Sequence, residues 1–181
     1  MNSYFKVDYK KRSALISLVS LALSIPLRIA GYYEFWGRPL FLITQVLLPV
    51  FCAALMIIIL IKYGKTKLII STIPVSLGVL SFVFKLFIDP RFDSLLHHIV
   101  CALLYSAIII LWFFTVSGKI RNKWIIVILF ALPFLFHIFV EDARVLLGYS
   151  PFLSASMWLK EFSMLCMMFG LSMCGLSFEK N

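Results

Sequence analysis

Apolar runs of roughly twenty residues alternate with short polar joints from one end of the chain to the other. Six windows meet the requirement of about 17 to 25 predominantly apolar residues for a membrane-spanning helix: 14–32, 39–61, 68–88, 95–116, 124–140 and 154–178. The joints between them are too short to hold a soluble domain. Backbone in lipid must satisfy its own hydrogen bonds, so the pattern predicts an all-α, six-transmembrane-helix bundle forming one domain over residues 1–181. Prolines 26, 49, 74 and 133 fall inside these windows, where a proline kinks a helix and frees a carbonyl.

Composition agrees with the pattern. Of the 181 residues, 62% are hydrophobic and 14% charged, against about 25% charged in a soluble domain. The formal net charge is +9, and its distribution sets an orientation. With both termini cytoplasmic, the inner joints hold Lys6, Lys10, Lys11, Arg12, Lys62, Lys65, Lys67, Lys119, Arg121, Lys123 and Lys180, eleven of the 17 basic residues. Only Asp8 and Glu179 oppose them there. The outer side is neutral: Arg28, Arg38, Lys85, Arg91, Arg144 and Lys160 against Glu34, Asp89, Asp93, Glu141, Asp142 and Glu161. The excess of lysine and arginine marks the cytoplasmic face of a multi-pass plasma-membrane protein. Topology accounts for the basic charge, so no nucleic-acid partner is called for. The bilayer is the first partner.

Lys10-Lys11-Arg12 before an apolar run resembles the start of a signal peptide, but Arg28 interrupts the run and no small-x-small cleavage site follows, so the first helix is read as retained. Cys52, Cys101, Cys166 and Cys174 all lie inside the windows without a C-x-x-C pair, which reads as packing rather than as a disulfide framework or zinc knuckle. Cys166, Gly170 and Cys174 recur every four residues, a small-residue stripe that lets helices approach closely. Tyr32, Tyr33, Phe35, Trp36 and Trp158 sit at the outer joints and Tyr63 and Trp124 at the inner boundary, as an interfacial aromatic belt requires.

The outward-running windows end alike. Phe84-Lys85-Leu86-Phe87-Ile88-Asp89 matches Phe136-His137-Ile138-Phe139-Val140-Glu141, and each puts a base and an acid at i and i+4 on one helical face. Arg28 followed by Glu34 is a looser version. With Gly64-Lys65 and Gly118-Lys119 in the inner joints, the pattern suggests three related helical hairpins. His97 and His98 open the fourth window at the same outer level.

Charged groups avoid facing lipid, so these side chains are expected to converge on a pocket open to the outside. The candidate ligand-binding residues are Arg28, Glu34, Lys85, Asp89, His97, His98, His137 and Glu141. Arg28, Lys85 and the histidines would hold an anionic or zwitterionic small molecule or lipid headgroup, with the carboxylates positioning the bases or meeting an amine. A runner-up is an intramembrane hydrolase, with His97 or His98, His137 and Glu141 or Asp93 as zinc ligands, or with His137 as a general base. No H-E-x-x-H and no G-x-S-x-G motif supports it, so no cofactor is called for and zinc is the one metal weighed. A third reading is an accessory subunit with a partner membrane protein and no ligand of its own.

In size, span number and an outward-open pocket the chain is similar to the substrate-binding S-components of energy-coupling-factor vitamin transporters. That family carries an A-x-x-x-A stripe in its first helix for docking the energising module; Ser13-Ala14, Ser17, Ser20 and Ser24 stand at related spacing without matching it. The resemblance is architectural and assigns no residue a role.

Overall fold

The computed structural model of the chain describes residues 2–62, 68–88, 95–117, 119–120, 124–125, 128 and 155–177. Among these residues the regular structure is helical. Helix α1 (Asn2–Gly31) is followed by a 3₁₀ turn at Tyr33–Phe35. Helix α2 (Pro39–Leu42) passes through a π-turn at Ile43–Leu47 into α3 (Leu48–Ile61). A 3₁₀ turn at Leu68–Ser71 leads into α4 (Thr72–Ile88), and α5 (Leu95–Val116) and α6 (Ala155–Ser177) complete the described helices. These helices fall on five of the six apolar windows; most of the window 124–140 lies outside the described residues.

Among the described residues three helices are long and apolar enough to cross a membrane: Lys11–Gly31, Pro39–Ile61 and Trp158–Ser177. The shortest of them has 20 residues, or about 30 Å of helix, the thickness of a hydrocarbon core. Pro39 stands at the first position of its helix after an extended Arg38, where its missing N–H costs nothing.

The arrangement of side chains on α1 is the reverse of a soluble helix. Ser13, Ser17, Ser24 and Arg28 are buried, whereas Leu15, Val19 and Leu23 are 63%, 48% and 51% exposed. Leu15, Val19 and Leu23 repeat every four residues and so form one outward stripe. Polar side chains inside and leucines outside is the distribution a lipid solvent selects.

The buried serines Ser17 and Ser24 face α6, and the contact between α1 and α6 is the most extensive among the described helices. Ser17 Oγ donates to the Gly170 carbonyl at 2.6 Å, and Ser163 Oγ donates to the Ser24 carbonyl at 3.1 Å. Rising numbers on α1 meet falling numbers on α6, so the two helices run antiparallel. Gly170 is the point of closest approach on the Cys166, Gly170, Cys174 stripe: a Cβ there would sit 2.8 Å from Leu21 Cγ. The small-residue edge of α1 is thus covered by the chain's own α6.

Helix α3 packs on α1, α4 on α3 and α5 on α4, and both α3 and α5 also touch α6. The core is built from Leu21, Cys52, Met56, Val75, Trp112 and Met167 with their neighbours. Gly78 lets α4 approach α3, since a Cβ there would meet Cys52 Sγ at 2.9 Å. Cys52 and Cys174 are fully buried and Cys166 partly so. In folded, detergent-solubilised protein, Cys52 and Cys174 are expected to stay unmodified by N-ethylmaleimide until denaturant is added. Peptide mapping of the adducts checks this; rapid labelling of both would contradict the packing of α3 and α6.

Candidate functional site

In a regular helix the carbonyl of residue 45 accepts from the N–H of residue 49. Residue 49 is proline and has no N–H. The ladder slips instead into the π-turn, in which the Leu48 N–H reaches back five residues to the Ile43 carbonyl. The Gln45 carbonyl is left for another donor, and Arg28 Nε supplies it at 2.7 Å from the facing side of α1. A sequence-local feature, one proline in an apolar run, thereby fixes a charged side chain between two helices. Single π-turns of this kind recur at functional sites.

Arg28 is only 4% exposed. Its guanidinium carbon lies 4.7 Å from the centre of the Tyr32 ring, one turn further along α1. Lys160 Nζ, near the start of α6, lies 5.2 Å from the centre of the same ring. The glycine at position 31 makes this possible, because a Cβ there would sit 2.9 Å from the Lys160 backbone nitrogen. Two cations therefore share one buried ring, whose negative face attracts both while the two charges repel each other. Among the described residues the partners of Arg28 are the Gln45 carbonyl and the Tyr32 ring, and no carboxylate lies within ion-pair distance. Of the five N–H groups of a guanidinium, one is thus engaged.

The Gln45 side chain is fully buried beside this arginine. Its Nε2 donates to the Ser81 carbonyl on α4 at 2.8 Å. That bond fixes the amide orientation, since a flip would set two oxygens against each other. Oε1 then has no hydrogen-bond partner among the described residues. An unmet buried acceptor costs about 1–3 kcal/mol, so a well-packed fold keeps one only where something else satisfies it.

The eight residues singled out from the sequence are distributed as follows. Arg28 is at the site just described. Glu34 is exposed on the 3₁₀ turn beyond α1. Lys85, His97 and His98 stand on described helices, with their side chains outside the described residues, and Asp89, His137 and Glu141 lie outside them altogether. The two i, i+4 pairs Lys85 with Asp89 and His137 with Glu141 are therefore not among the described contacts, and neither is the zinc set built on the histidines. Sequence reasoning missed Gln45 and did not connect Tyr32 or Lys160 to Arg28. A signal for Gln45 exists: it is the one amide in the window 39–61 and stands four residues before a proline.

Comparison with known proteins gives no matching family model, no matching curated protein and no matching solved structure.

Proposed function

We propose that this chain is a six-span plasma-membrane protein with cytoplasmic termini, which binds or transports a small polar ligand or lipid headgroup in a polar pocket open to the outside. The ligand is anionic or zwitterionic. The observation that carries this reading is Arg28: a buried guanidinium in an apolar bundle, with no carboxylate partner among the described residues and a second cation on the same ring. An ionisable group at membrane depth is costly and is retained where it has work to do. An anion would neutralise the Arg28 guanidinium and take up its four unused donors.

The proposed orientation puts the Arg28 end of α1 on the outer side and the basic joints inside. Exposed Tyr33, Trp36 and Trp158 at that end fit an interfacial belt.

Native mass spectrometry of protein purified in mild detergent is expected to show a retained small molecule or lipid. Arg28→Ala is expected to lose it, and Arg28→Lys, which keeps the charge but not the fork, to retain a weakened fraction. Equal retention by Arg28→Ala would remove the reading. For the orientation, Gly37→Cys has free space around it and should be labelled by a membrane-impermeant maleimide on intact cells, whereas Lys62→Cys should not. The reverse pattern would invert the topology.

A further inference from the structure

Resting on the reading of Arg28 as an anion site, we infer that Gln45 determines specificity: the ligand is an oxyanion that also carries a hydroxyl or ammonium group, which donates to Gln45 Oε1.

Arg28 can only donate hydrogen bonds, so it selects the anionic part of a ligand and nothing else. Gln45 supplies the complementary feature. Its backbone carbonyl already holds Arg28 Nε at 2.7 Å, so the residue that anchors the guanidinium also carries the unmet acceptor. Oε1 is an acceptor with no donor among the described residues, and the amide cannot turn to satisfy it while Nε2 holds the Ser81 carbonyl.

The hydroxyls of Thr44 beside it, of Ser81 at its amide, and of Ser24 one turn before Arg28 offer no proton either. Thr44 Oγ1 donates to the Leu40 carbonyl at 2.9 Å, Ser81 Oγ to the Gly78 carbonyl at 2.9 Å, and Ser24 Oγ to the Leu21 carbonyl at 2.7 Å. Each proton is committed to its own helix. The Gln45 carbonyl is held by a side chain rather than by the helix, so a small displacement that admits a donor to Oε1 breaks no ladder bond at that position. An anion without a donor leaves the buried oxygen unmet, and an anion with one satisfies both ends of the site.

The test is the thermal unfolding of purified full-length protein titrated with matched pairs that differ in the donor. The soluble pairs are lactate against propionate and glycerol phosphate against methyl phosphate. The lipid pair is vesicles of phosphatidylglycerol against vesicles of phosphatidylmethanol, which carry the same charge. The hydroxyl-bearing member of one pair is expected to stabilise at about tenfold lower concentration, the worth of one hydrogen bond to a buried acceptor. The responding pair also tells a lipid headgroup from a free solute. In Gln45→Met the ratio is expected to fall to about one while the anion response survives; a purely structural role for Gln45 would lower stability without changing the ratio. Equal responses within every pair, with the response lost in Arg28→Ala, would overturn the inference and leave the anion site standing. No response from any probe in wild type would overturn both. The comparison within wild-type protein decides the matter even if Gln45→Met fails to fold.

Discussion

Trp112→Ala is expected to lower stability by about 3 kcal/mol, in the range seen when a buried aromatic is truncated. Trp112 is 1% exposed on α5, and its indole N–H donates to Ser71 Oγ at 3.0 Å, on the 3₁₀ turn that leads into α4. In a bilayer most of the transfer contribution disappears, because lipid is as apolar as the core. What remains is the void, whose lining atoms give up their dispersion attraction to the indole. The hydrogen bond is the smaller part. Trp112→Phe keeps most of the ring volume and is expected to cost about 1 kcal/mol. Unfolding in mixed micelles with increasing denaturing detergent measures both; a loss below about 1 kcal/mol for Trp112→Ala would mean that α5 is not packed against the start of α4.

The second large effect is expected at Gly170. Its missing side chain brings α6 onto α1: an added Cβ would meet Leu21 Cγ at 2.8 Å and the Leu21 backbone nitrogen at 3.2 Å. Leucine can turn aside but the backbone cannot, so even Gly170→Ala pushes the helices apart, and Gly170→Leu is expected to cost about 2–3 kcal/mol by overpacking. The separation also stretches the bond from Ser17 Oγ to the Gly170 carbonyl, now 2.6 Å. The specific test is a double-mutant cycle. Leu21→Ala should relieve part of the penalty of Gly170→Ala, a coupling of about 0.5 kcal/mol or more for residues in contact. Strict additivity of the two changes would show that the helices do not meet there.

Much of the helical architecture could be read from the sequence because lipid imposes a length and a polarity on every span. Helix α5 fills the predicted window 95–116 residue for residue, and α2 with α3 fills 39–61. The stripe of Cys166, Gly170 and Cys174 pointed to a close helix contact, and Gly170 makes it. The serines of α1 were legible as small residues but not as partners of α6, because the hydrogen bond between Ser17 and Gly170 joins positions 153 residues apart, and no local pattern encodes such a pairing.

The site was legible only at Arg28. A base in an apolar window invites a search for an acid three or four residues away, and the first acid after Arg28 is Glu34, six residues on. The chain leaves α1 at Gly31, and Glu34 falls on the turn. What holds Arg28 instead is a main-chain oxygen freed by Pro49, and that donor deficit matters only once α1 and α3 are known to lie side by side. Lys160 reached the same ring because Gly31 admits α6, again a matter of tertiary approach rather than of spacing.

The pairing of α1 with α6 also bears on how the protein is made. At synthesis rates of about 5–20 residues per second, α1 is complete about 6–30 seconds before the helix that covers it exists. During that interval Ser17 and Ser24 lack the partners they find on α6, whereas Arg28 gains the Gln45 carbonyl as soon as α3 follows α1. Nascent chains stalled before α6 should therefore be recognised by membrane quality control through this uncovered helix, and a separately expressed α6 fragment should shield it.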